Sequence, residues 1–126
     1  MLQKIILILK NHERIYVVGD SIDAGDMPKS AFSANSQAKG CAENLINIIF
    51  EKKLINPVFL NTCYSLAAEK YGFAISSWYR ANSLGDRIVS LGSRSSPEKS
   101  NLILRVKEAR ESYQWYDSVT DEIFGS

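Results

Sequence analysis

The stretch that most constrains this chain is Ile15-Tyr16-Val17-Val18-Gly19-Asp20, followed by Met27-Pro28-Lys29-Ser30 and a long helical pattern. Apolar residues 15–18 carry no polar alternation, which predicts a strand covered on both faces, as in a parallel sheet. The strand would stop at a Gly-Asp corner, and Pro28 suits a loop or a first helical position. In open α/β sheets, ligands sit beyond the carboxyl ends of strands. A helix N-terminus aimed there offers N–H groups and a partial positive charge, and Asp20 adds an acceptor for hydroxyls. That combination suits a polyol or a phosphate-bearing cofactor. The same residues suit a plain turn, since Gly and Asp are ordinary turn formers.

Charge and cysteine content narrow the function. A net charge of +1 over 126 residues gives no electrostatic case for nucleic acid or an anionic membrane. No apolar run approaches the ~18 residues of a membrane helix. Residues 1–9 hold an apolar core too short for an export signal and lack a small-residue cleavage site. Cys41 and Cys63 fit neither a disulfide framework nor a zinc site, and His12 is the only histidine. No metal is expected, and His12 reads as a solvated turn residue.

In chain order, residues 4–9 and 15–18 read as strands, and residues 21–27 as a loop. A helix is expected from about Ser30 to Glu51. Ala34, Ala38, Cys41, Ala42, Leu45, Ile46 and Ile49 fall on one apolar face of it. Cys41 on that face reads as a buried, inert thiol. Lys52-Lys53 and Asn56-Pro57 end the helix. Three strands follow, over residues 58–65, 73–79 and 88–91, with turns at 69–72 and 82–86, as in a small antiparallel meander. Residues 92–96 read as a loop with capping chemistry: Ser95 and Glu98 have capping-box spacing, and Pro97 suits a first helical position. The last helix is expected from about Pro97 to Phe124. Leu102, Val106, Ala109, Tyr113, Tyr116 and Ile123 form its apolar stripe, Trp115 lies beside the stripe, and Lys107, Glu108, Arg110 and Glu111 form a solvated face.

Four blocks carry a family resemblance. They are Val17-Val18-Gly19-Asp20, then Met27 through Lys39, then Leu60-Asn61-Thr62-Cys63-Tyr64-Ser65, and finally Ser112-Tyr113-Gln114-Trp115-Tyr116 with Ile123-Phe124-Gly125. In order and approximate spacing, they resemble the C-terminal part of the flavoprotein subunit of flavocytochrome c sulfide dehydrogenase. That family is FAD-dependent and related in fold to glutathione reductase and the sulfide:quinone reductases. The resemblance implies that Gly19 and Asp20 form the corner that meets the FAD ribityl chain, with Asp20 hydrogen-bonding it. It implies that Pro28, Lys29 and Ser30 line the flavin ring. Cys63 corresponds to the family's cysteine of a redox-active disulfide, and Trp115 to an aromatic residue near the same site. In such enzymes sulfide attacks the disulfide to give a persulfide and a thiolate. The thiolate reduces the flavin, and the flavin passes its electrons to a c-type cytochrome subunit. Such enzymes work in the periplasm.

The resemblance implies an α+β chain in two parts. Residues 1–56 would be the remnant of an FAD-binding domain, with N-terminal strands and a long helix. Residues 57–126 would be the C-terminal flavin-binding and interface domain, a small antiparallel sheet with a C-terminal helix. The sequence contains no Gly-x-Gly-x-x-Gly for the FAD pyrophosphate and no cysteine suited to pair with Cys63. Cys41, inside a helix, is not expected to reach it. The chain therefore reads as a fragment that binds FAD weakly or not at all without an N-terminal FAD and pyridine-nucleotide-like part. The alternative is a non-catalytic remnant whose uncovered strand and apolar faces are buried in a homodimer.

Overall fold

The structure, a computed structural model, describes residues 15–125. A 3-10 turn, Gly19–Ser21, precedes helix α1, Ala31–Ile49. Strands β1 (Phe59–Ala68), β2 (Tyr71–Ala81) and β3 (Ile88–Ser95) follow, and helix α2 (Leu102–Phe124) closes the order. The three strands form one sheet in the order β1-β2-β3. Two residues separate β1 from β2, a connection that only antiparallel neighbours allow. The α+β class and the meander agree with the sequence, and the strands run longer than expected. The expected strand at residues 4–9 lies outside the described residues.

Residues 15–18 differ from expectation. They are extended around a single bridge at Tyr16, with Ile15 exposed and Tyr16, Val17 and Val18 half-buried. A run of apolar residues becomes a laddered strand only where neighbours supply hydrogen-bond partners, and the sheet among the described residues is built from β1, β2 and β3 instead.

Two compact units divide the described residues, one formed by 15–61 with Ser77–Gly92 and the other by Thr62–Ser76 with 93–125. In the first unit, Ala24, Met27, Phe59, Tyr79 and Ile88 form the core, with Ile22 packed against it. Helix α1 starts and stops close to expectation. Ser30 is its N-cap, its side chain accepting from the Ser33 N–H at 3.0 Å. Its C-terminus is followed by Glu51 at φ 53° and by the Lys52 N–H donating to the Asn47 carbonyl.

The buried face of α1 is not the expected apolar one. The buried residues are Ser33, Gln37, Gly40, Cys41 and Asn44, while Ala38, Ala42, Ile46 and Ile49 are exposed. The inward face is the expected face displaced by one residue, roughly 100° around the helix. The displacement has a polar cause. The Ser33 hydroxyl donates to Asn61 Oδ1 at 3.2 Å, and Ser36 Oγ accepts from the Leu60 N–H at 2.9 Å. Asn44 closes a two-way pair with the Ile55 backbone, both bonds at 2.9 Å. These side chains satisfy backbone and amide groups that apolar residues would leave unpaired.

In the second unit, α2 begins at Leu102, with Asn101 as N-cap accepting from the Leu104 N–H at 3.0 Å. Neither Ser95 nor Pro97 starts the helix. Strand β3 continues through residues expected in a loop, and the Ser96 N–H donates to the Ala74 carbonyl at 2.9 Å. The Pro97 and Glu98 carbonyls accept from the buried Arg105 guanidinium rather than from a helix turn. Arg105 also pairs with Glu108 and lies over the Tyr71 ring. Ala109 is buried as the stripe predicts, but Arg105 is buried beside it and Ser112 and Trp115 are half-buried, while Tyr113 and Tyr116 of the stripe are exposed. Glu108, expected in solvent, is half-buried and accepts from the Ser96 hydroxyl at 2.6 Å. Gly72 fixes this arrangement, because a Cβ there would lie 2.6 Å from the Ala109 nitrogen.

Candidate functional site

The Gly-Asp corner forms as a tight turn fastened to α1. Gly19 has φ +82°, a left-handed conformation that Gly adopts without a Cβ penalty. Its N–H donates to Gln37 Oε1 at 2.8 Å, two turns into the helix. A Cβ on Gly19 would meet the Ala34 Cβ at 3.4 Å, so the corner lies against the start of α1. Asp20 follows in the 3-10 turn and is exposed.

Beyond the corner, the chain loops through residues 21–29 and walls an open cleft of about 330 Å³, lined by residues 21–25, Met27 and Lys29. Of the residues expected at a ligand, only Lys29 lines this cleft. Gly19 and Asp20 precede it in the chain, and Pro28 stands exposed next to Lys29. The Ser30 hydroxyl is committed to structure: it caps α1 and donates to Asn61 Oδ1 at 2.7 Å. The loop is anchored at Asp26, whose N–H donates to the Ile88 carbonyl. The Asp26 carboxylate accepts from Arg87 at 2.8 Å and from the Ser90 N–H at 3.1 Å. Those two bonds and the charge of Arg87 hold its pKa below the ordinary 3.8, against a smaller opposing effect of desolvation.

Cys63 and Trp115 belong to the second unit. Cys63 is an exposed free thiol on β1, and Trp115 is half-buried on the inward side of α2. Cys41 is also free, but it is buried in the first unit, where desolvation raises its pKa and keeps the thiol protonated at neutral pH. Near Cys63 in sequence, Tyr64 has its pKa raised first by burial and then by Glu111 and Glu108. Among the described residues, no three His, Cys, Asp or Glu side chains gather to hold a metal, and no helix is long and apolar enough to cross a membrane.

Sequence reasoning missed Gln37, Ser33 and Asn61, the side chains that hold the corner and the start of α1, and Asn44, which holds Ile55 beyond its end. A signal was present in α1. Ser33, Gln37 and Asn44 are uncharged, share one helical face with Gly40 and Cys41, and stand apart from Lys39 and Glu43. Uncharged amides and hydroxyls aligned on one face suit a buried hydrogen-bonding surface better than a solvated one. Compared with known families, residues 55–124 match the family model described as flavocytochrome c sulphide dehydrogenase, flavin-binding. The match includes Cys63, Trp115, the whole sheet and α2, and it leaves the Gly19–Asp20 corner to be judged on geometry.

Proposed function

The chain belongs to the flavocytochrome c sulfide dehydrogenase flavin-binding family, and on that premise we propose that it supplies the C-terminal flavin-binding portion of an FAD-dependent sulfide:cytochrome c oxidoreductase. The observation that carries this reading is the family match over residues 55–124. Bound FAD would supply a two-electron carrier. The exposed Asp20 carboxylate accepts hydroxyls of the ribityl chain, and Lys29 presents a cation from the wall of the cleft. The start of α1 favours negative charge beside it. An open cleft of about 330 Å³ lies at the small end of ligand sites, which supports a grip on one end of a large cofactor.

The pyrophosphate grip and a cysteine to pair with Cys63 come, in this reading, from polypeptide outside this sequence. Cys63, exposed and unpaired, is open to such a partner. A c-type cytochrome accepts the electrons, and the assembly works in the periplasm. The test is a titration of the 126-residue chain with FAD, followed by flavin fluorescence. One arm uses the chain alone, and the other adds a separately expressed Gly-x-Gly-x-x-Gly segment. Weak or absent binding alone and tight binding with the second segment is the expected result. No binding in either arm refutes the proposal.

A second reading, a self-association module, draws on the exposed apolar side of α1, where Ile46 is 51% and Ile49 72% exposed. Sedimentation decides it: a dimer broken by Ile46→Lys supports the reading, and a monomer at all concentrations removes it.

A further inference from the structure

We infer that Gln37 is a positioning residue for the cleft, a clamp that holds both ends of the loop forming its wall. Its carboxamide reaches two points of the chain that bracket that loop. Oε1 accepts from the Gly19 N–H at 2.8 Å, and Nε2 donates to Met27 Sδ at 3.5 Å. Residues 20–26 span the interval between these tethers, and most of the cleft lining comes from them. Gln37 is 1% exposed and Met27 4%, so the carboxamide and its Met27 tether lie in the interior, while Gly19 is half-buried.

The chemistry requires this residue type. One end of the loop offers a backbone donor, and the other a thioether, which accepts weakly. A carboxamide presents an acceptor and a donor on separate atoms of one terminus, and the Gly19 N–H fixes which atom faces which partner. The clamp also explains why the inward face of α1 is polar at this level. A leucine here would leave the Gly19 N–H unpaired and the corner free to leave the helix. The effect on a flavin rests on the reading above; the effect on the loop does not.

The experiment compares wild type, Gln37→Met and Gln37→Glu by amide hydrogen exchange and by FAD titration in the presence of the separately expressed Gly-x-Gly-x-x-Gly segment. Methionine keeps the length and removes the amide, while glutamate keeps the oxygen that Gly19 requires. In Gln37→Met, exchange at Gly19 is expected to rise about tenfold while Ile55, held by Asn44 elsewhere in the same unit, keeps its rate. The FAD dissociation constant is expected to rise by about five- to tenfold, the worth of one hydrogen bond. Gln37→Glu should keep Gly19 slow. Unchanged Gly19 exchange in Gln37→Met overturns the clamp, and so does an equal rise at Ile55, which marks general destabilisation. If Gln37→Met fails to fold, Gln37→Glu decides: slow Gly19 exchange upholds the clamp and fast exchange overturns it. If Gly19 responds as expected but none of the three proteins binds FAD even with that segment present, the clamp stands and the flavin reading falls.

Discussion

Replacing Asn44 by alanine tests whether the polar inward face of α1 holds the first unit together. Asn44 is 2% exposed and makes two backbone bonds to Ile55, each 2.9 Å long. Each neutral bond contributes about 1 kcal/mol net, and a partner left unsatisfied away from water costs a further ~1–3 kcal/mol. Ile55 is half-buried, so water reaches part of what the deletion exposes. The expected loss is about 2–3 kcal/mol, which lowers the melting temperature by roughly 8–12 °C for a chain of this size. Circular dichroism melts and urea titrations measure it. Asn44→Asp gives a sharper version. The aspartate keeps an acceptor for the Ile55 N–H but, when ionised, sets a carboxylate against the Ile55 carbonyl. Burial and that carbonyl raise its folded pKa above the unfolded value. Its stability is therefore fullest at acid pH and is lost as pH rises through the folded pKa. The gap between Asn44→Asp and wild type should widen from pH 4 to pH 8. A loss below about 0.5 kcal/mol in Asn44→Ala, the range of an ordinary surface substitution, or a gap that does not change with pH, would refute the reasoning.

Other outcomes follow from the same geometry. Gly72→Ala places a Cβ 2.6 Å from the Ala109 nitrogen and 2.7 Å from its Cα, an overpacking worth about 2–3 kcal/mol in a urea titration. Because the clash is with helix backbone, adding Ala109→Gly should not rescue it. The lowered pKa of Asp26 contributes stability above its unfolded pKa, near 3.8, and loses it as pH falls through the folded value. The advantage of wild type over Asp26→Asn in thermal melts should therefore vanish at strongly acid pH. In native protein an aromatic disulfide reagent should label exposed Cys63 quickly and spare buried Cys41 until guanidinium is added. Equal labelling of both would contradict the burial of α1. Ser30→Ala removes the cap of α1 and the bond to Asn61, and should cost about 1–2 kcal/mol in the same melts.

The α+β class, the extent of α1, the three-stranded meander and a turn at Gly19-Asp20 were legible in the residues themselves. These features depend on local chemistry: a serine cap, lysines and a proline past the helix end, and turn formers at 82–86. Local patterns are read within a few residues, and each states its own preference. What the sequence did not disclose was which side of each helix faces inward. In α1 the buried face lies one residue before the apolar stripe, carrying Ser33, Gln37 and Asn44, and in α2 Arg105 is buried alongside Ala109 of the stripe. Apolar periodicity measures what would be favourable to bury. The outcome turned on backbone groups outside the helices, the Gly19 N–H, the Ile55 amide and the Pro97 carbonyl, which needed partners. A buried backbone group without a partner costs as much as a good apolar contact contributes, so those partners, and not apolar periodicity alone, decided which side chains each helix buries.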